Sequence, residues 1–163
     1  MAREDNQTGP VLSILDRLTD LQPDSKKEKP SNPWEKTRQL KASLCTDLSA
    51  LLNTRRAESD FDSDYQEASN SLLTFGIADF TSYNLKNGIE QERVRRSIER
   101  AIRQFEPRLT GVMVSMDEPD DVKPTLRFQI SAVLRTEPVG DPILFDLTLH
   151  RDSRRIAVAG ASS

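Results

Sequence analysis

The tetrapeptide Phe105-Glu106-Pro107-Arg108 divides the chain into two regimes. Apolar residues recur every three or four positions before it and every second position after it. Pro107 cannot continue a helix, and it biases Glu106 toward extended backbone. Residues two apart in an extended segment project to one side, so Glu106 and Arg108 are expected to point together. Such a pair can engage itself, the rest of the fold, or a partner.

Reading back from Phe105, residues 90–105 place Val94, Ile98, Ala101, Ile102 and Phe105 on one helical face. The opposite face carries Arg93, Arg95, Arg96, Arg100 and Arg103 against Glu90, Glu92 and Glu99. An ion-paired, solvated face is the expectation there; the interleaved acids and the lack of an aromatic platform argue against nucleic acid. A second helix is predicted over Gln66–Phe75, carrying Leu72 and Leu73 and closed by Gly76 in the left-handed conformation. Ile77, Phe80 and Tyr83 follow in a connecting segment, where Asp79 is placed to cap a turn. Before these, residues 57–66 hold Glu58, Asp60, Asp62 and Asp64. A calcium loop counted from Asp60 needs glycine at its sixth position and glutamate at its twelfth; Tyr65 and Leu72 stand there instead. A solvated acidic loop is the reading.

The first long helix is predicted from Trp34 to Thr54, with Leu40, Leu44, Leu48, Leu51 and Leu52 on one face. It ends in Asn53-Thr54-Arg55-Arg56, where two arginines favour the helix dipole or a partner. Residues 21–33 contain three prolines and read as a linker. Upstream, Leu12, Ile14, Leu15 and Leu18 suit an amphipathic helix at about 12–19 that is too short to stand alone. It docks either on its own domain or on a partner. The organisation expected is therefore a flexible N-terminal segment over 1–33, a folded domain over 34–150 and a tail over 151–163.

Downstream of Arg108, Val112, Val114 and Met116 alternate, then Leu126, Phe128, Ile130, Ala132 and Leu134, then Ile143, Phe145, Leu147 and Leu149. Short turns separate the three runs, which predicts an antiparallel meander. The fold class expected is α+β, with N-terminal helices packed on one face of a three-stranded antiparallel sheet.

Composition narrows the function. The chain has 163 residues, 30% charged, with a net charge of -3 that makes no general case for nucleic acid or membrane surfaces. No run approaches the roughly 20 apolar residues of a membrane span, and the N-terminus lacks a secretory core. A single cysteine, Cys45, excludes an internal disulfide. A cytoplasmic protein is the reading. One histidine, His150, no zinc spacing and no glycine-rich phosphate loop leave no catalytic constellation, no metal site and no cofactor to assign. A carboxylate beside an arginine is a poor general acid, because a nearby cation favours its charged form.

The order of motifs resembles a known family. A leucine-rich start at Leu12–Leu18 precedes Leu51-Leu52-Asn53-Thr54-Arg55-Arg56. Leu72-Leu73-Thr74-Phe75-Gly76-Ile77-Ala78-Asp79-Phe80-Thr81 follows, then Phe105-Glu106-Pro107-Arg108-Leu109 and Pro142-Ile143-Leu144-Phe145-Asp146. Over about residues 11–150 this is similar to the small baseplate subunits of type VI secretion systems, the TssE family. These are relatives of the phage tail-wedge protein once labelled lysozyme-like. Ala78 stands where that family commonly has proline.

The resemblance implies a structural protein without enzymatic activity. It would join wedge subunits TssF, TssG and TssK to the contractile sheath of TssB and TssC, near hub and spike proteins, and help sheath assembly begin. It would be cytoplasmic, recruited to a baseplate docked at the inner membrane, without inserting into it. Partner contacts are then expected at Glu106, Pro107 and Arg108, at Arg55 and Arg56, and at Leu12, Leu15 and Leu18. Other readings are a phage-tail-like particle and a muramidase. An exposed Glu106–Arg108 pair would contribute only about 0–1 kcal/mol, so its removal would spare folding and abolish sheath assembly.

Overall fold

A computed structural model describes residues 13–14, 18–19, 33–56, 65–80, 83, 87–117, 125–135, 140–150 and 155–162. Helix α1 spans Pro33–Asn53. A proline in the first turn loses no hydrogen bond, because the first amides of a helix lack intrahelical partners. Leu40, Leu44, Leu48, Leu51 and Leu52 are all buried, as their spacing predicts. Helix α3, Gly88–Phe105, starts where the Asn87 side chain accepts from the Ile89 amide at 3.0 Å. It buries Val94, Ile98, Ala101 and Ile102 and leaves Phe105 half-buried.

The helix expected over 66–75 is broken into two pieces. Helix α2 covers only Gln66–Ser69, and a 3-10 turn covers Leu72–Thr74. Hydroxyl side chains compete with the ladder here: Ser69 donates to the Gln66 carbonyl at 2.8 Å, and Ser71 to that of Ala68 at 2.7 Å. Leu72 and Leu73 consequently point to solvent, while Thr74 is buried.

Four strands follow: β1 Leu109–Met116, β2 Thr125–Leu134, β3 Asp141–His150 and β4 Arg155–Ser162. They form one antiparallel meander in the order β1-β2-β3-β4. The three-stranded expectation is thus corrected to four, because residues 155–162, expected in a tail, pair with β3. Ile156 is buried and Val158 half-buried, so the period of two is present in β4. Ala157, Ala159 and Gly160 dilute its apolar signal.

Apolar side chains of all four strands meet α1 and α3 in one core that includes Phe128, Ile130, Phe145 and Leu147. Burying each such side chain fully contributes about 1.5–3 kcal/mol. Helix α1 lies against β4 and α3 against β1. A bulge between Thr110 and Met113 shifts the register, with Gly111 at φ 61°. That extra residue is why both Leu109 and Val112, three apart, face the core. Across the outer face, Gln129 donates to Asp146 directly opposite at 3.2 Å.

Several expectations lie outside the described residues: Leu12 and Leu15, the linker through residue 32, the acidic stretch 57–64, and the side chain of His150. Ile14 and Leu18 are both helical and largely exposed. Among the described residues, no helix is long and apolar enough to cross a membrane.

Candidate functional site

The junction between α3 and β1 does what its proline dictates. The Glu106 amide still donates to the Ile102 carbonyl at 2.8 Å, and the Glu106 carbonyl accepts from the Leu109 amide at 3.1 Å. The chain has turned within three residues. Arg108 then joins the sheet edge, its carbonyl accepting from the Arg135 amide at 2.9 Å.

Glu106 and Arg108 project together, but inward. The Glu106 side chain is 6% exposed and that of Arg108 17%. Arg108 Nε donates to Glu106 Oε1 and Nη2 to Oε2, both at 2.6 Å, a two-pronged fork. Nη2 also reaches Asp47 Oδ2 at 2.5 Å, and Nη1 reaches Ser43 Oγ at 3.3 Å. Ser43 in turn donates to Asp47 at 3.4 Å. The hydrogen bonds that Arg108 donates to Glu106, and then to Asp47, push its pKa up, so its charge is fixed across the accessible pH range. The expectation of an exposed pair is therefore corrected: the fork is a buried clasp that ties α1 to the turn between α3 and β1. Pro107 alone of the three stays exposed. Ser43 and Asp47 went unnoticed in the sequence. They stand four apart on the edge of the leucine face of α1, a spacing that places two polar groups side by side.

The other arginine pair meets the second motif. Arg55 forms an isolated parallel bridge with Ile77. The Arg56 amide donates to the Ile77 carbonyl at 2.9 Å, and the Ile77 amide to the Thr54 carbonyl at 3.0 Å. Arg55 Nη1 lies 2.7 Å from Asp79 Oδ1, both side chains being partly exposed. Gly76, at φ 105°, makes the approach possible: a Cβ there would collide with the Thr54 carbonyl oxygen. The expectation of glycine in a left-handed conformation holds, and its reason is this close crossing as well as the turn.

The outer face of α3 is ion-paired as expected. Glu92 bridges Arg95 and Arg96 at 2.6 Å each, and Glu99 accepts from Arg95 at 2.5 Å. Hydrogen bonds from Arg95 and then Arg96 hold the Glu92 carboxyl down at about 2. Arg96, Arg100 and Arg103 line a shallow depression with Asn70 and Gln104. Gln104 fastens the broken helix to α3, donating to the Ser69 carbonyl at 2.9 Å and to Thr74 Oγ1 at 3.0 Å. Phe75 and Phe105 pack edge to face beside it, with ring centroids 5.2 Å apart. Among the described residues, no group of three or more histidines, cysteines or carboxylates is arranged to hold a metal ion.

The structure therefore gathers Glu106 and Arg108 into one clasp and Arg55 and Arg56 into a second joint. Leu18 is exposed in a separate segment. A family model described as baseplate wedge protein gp25 matches residues 38–139, more than half the chain. No curated protein matches it. A solved structure titled "The baseplate complex from the type VI secretion system" contains a similar chain. The two share 15% identity with a TM-score of 0.45, covering 68% of this chain and 94% of that one.

Proposed function

The chain belongs to the baseplate wedge protein gp25 family, and from that premise we propose that it is the small wedge subunit of a type VI secretion baseplate. It is a baseplate wedge component and a structural protein, not an enzyme, which replaces the muramidase reading. In the role proposed, it joins TssF, TssG and TssK to the sheath proteins TssB and TssC, in the cytoplasm at a membrane-docked baseplate.

One observation carries the type VI reading. The two sequence runs behind that resemblance, LLNTRR and the glycine-centred run after it, are joined at Arg55, Ile77 and Asp79. They form one structural unit, so a partner meets them as a single surface. Arg55 and Arg56 stand on that surface, and Pro107 on the one held by the clasp. In this reading Glu106 and Arg108 shape the docking corner from beneath. Leu12, Leu15 and Leu18 form a separate clip onto the wedge. A sheet edge accepts an extended segment of the sheath through backbone hydrogen bonds.

Co-purification tests this. The intact chain is expected to retain TssF and TssG together with TssB and TssC, whereas a chain lacking residues 1–20 loses wedge subunits. Retention of no wedge subunit by the intact chain would sink the proposal.

A further inference from the structure

Helix α3 has a face that its own ion pairs do not use up. Arg93, Arg96, Arg100 and Arg103 are exposed along it, three or four positions apart. The acids between them are engaged from within. Glu92 accepts from Arg95 Nε and from Arg96 Nε, each at 2.6 Å. Glu99 is 13% exposed and accepts from Arg95 and from the Val114 amide. A guanidinium carries five N–H donors. Arg96 keeps both Nη groups, and Arg103 gives Nη2 to the Val112 carbonyl at 2.7 Å. Among the described residues, no hydrogen bond or ion pair takes Arg100. The helix holds five arginines against three glutamates, in a chain whose net charge is -3.

Three of these arginines, Arg96, Arg100 and Arg103, share a depression with Asn70 and Gln104. Just beyond Asn70 the chain presents Leu72 at 81% and Leu73 at 65% exposure. Their segment is tied down. The Leu73 amide donates to Ser71 Oγ at 3.3 Å, and Thr74 Oγ1 donates to the Ser69 carbonyl at 2.9 Å. Gln104 fastens both Ser69 and Thr74 to α3. Two large apolar side chains fixed in solvent beside unspent cations form one recognition surface: the leucines anchor and the charges select.

Spacing and charge define what fits. From Arg96 to Arg100 to Arg103 the helix rises by about 6 and then about 4.5 Å. Carboxylates at i, i+4 and i+7 of a second helix repeat that rise, whereas alternate residues of an extended chain stand about 6.8 Å apart. No aromatic side chain lines the depression, so bases have nothing to stack on. We propose that this surface docks an acidic amphipathic helix of a partner protein, its carboxylates over the arginines and its apolar residues on Leu72 and Leu73. The surface uses none of the residues assigned a partner contact above, and the inference does not depend on which machine the chain serves.

Fluorescence anisotropy tests it on the full chain. The probe is a labelled helical peptide of about 15 residues, with Glu at i, i+4 and i+7 on one stripe and Leu on the next. Saturable binding that weakens with salt is expected. Arg100→Glu, and separately Leu72→Ala with Leu73→Ala, each lower the affinity by about tenfold or more. The thermal midpoint stays unchanged, because all three side chains are exposed. A peptide with Lys in place of Glu does not bind. No binding by the wild type, or binding that either variant leaves intact, overturns the inference. Equal affinity for a peptide with Ser in place of Leu, or for a single-stranded oligonucleotide, does the same. A chain that dimerises by itself and dissociates on Arg100→Glu would put a second copy on this surface. Peptide binding that emerges only after Asp60→Asn, Asp62→Asn and Asp64→Asn would put the chain's own acidic stretch there. Either result overturns the partner helix.

Discussion

Arg108→Ala is expected to destabilise the fold by about 3–5 kcal/mol, the usual effect of stranding a buried charge. Two carboxylates lose their counter-charge at once. Glu106, at 6% side-chain exposure, cannot recover by hydration, and Asp47 at 32% can do so only in part. A thermal midpoint lower by about 10–20 °C is the matching observation. Glu106→Ala is milder, because Arg108 keeps Asp47 and Ser43. Arg108→Lys recovers little, since a point charge cannot form the fork. A double variant, Glu106→Gln with Arg108→Met, loses less than Arg108→Ala alone, because the buried Glu106 charge goes with its partner and only the partly exposed Asp47 is left unpaired. Urea unfolding of these variants decides the matter. A loss below about 1 kcal/mol for Arg108→Ala would return the pair to the class of exposed ion pairs.

Gly76→Ala should destabilise the fold by about 2–4 kcal/mol, of which the left-handed backbone alone accounts for about 1–3. The remainder is steric. The new Cβ would press on the Thr54 carbonyl oxygen and lie 2.9 Å from its carbon. That carbonyl cannot retreat without breaking its bond from the Ile77 amide, and the neighbouring Arg56–Ile77 bond holds the same crossing. The damage is therefore specific: the segment after α1 separates from the segment after the 3-10 turn, and the Arg55–Asp79 bridge opens. Urea unfolding gives the magnitude, and exchange at the Arg56 and Ile77 amides shows the place. Unchanged protection there would mean that the crossing tolerates a side chain.

Much of the architecture was legible because it rests on local periodicity. The leucines of α1 and the apolar stripe of α3 announced their buried faces, and the alternation from Phe128 to Leu134 and from Ile143 to Leu149 announced two strands. Strand β4 was not legible, since Ile156 and Val158 are its only large apolar residues and small side chains separate them. The break between α2 and the 3-10 turn was hidden because Leu72 and Leu73 suggest a helical face. The adjacent serines that redirect the backbone are weak signals by comparison.

The site was legible in its members and not in its direction. The spacing of Glu106 and Arg108 marks them as a pair, but charged residues are usually exposed. Burial became possible because the fork satisfies both carboxylate oxygens and α1 supplies Asp47 and Ser43 from about sixty positions upstream. No local pattern announces a contact over that separation. Asn53 was likewise visible only as the end of a helix, whereas its partner on β4 is 103 positions away.

The role proposed is that of a structural piece of a wedge from which a sheath grows. Its most direct test is sheath nucleation by TssB/TssC on purified wedges of TssF, TssG and TssK, observed by electron microscopy with and without the chain. The proposed role predicts straight sheaths, each anchored by one end to a wedge, only when the chain is present. Sheaths that start from wedges equally well in its absence would contradict it.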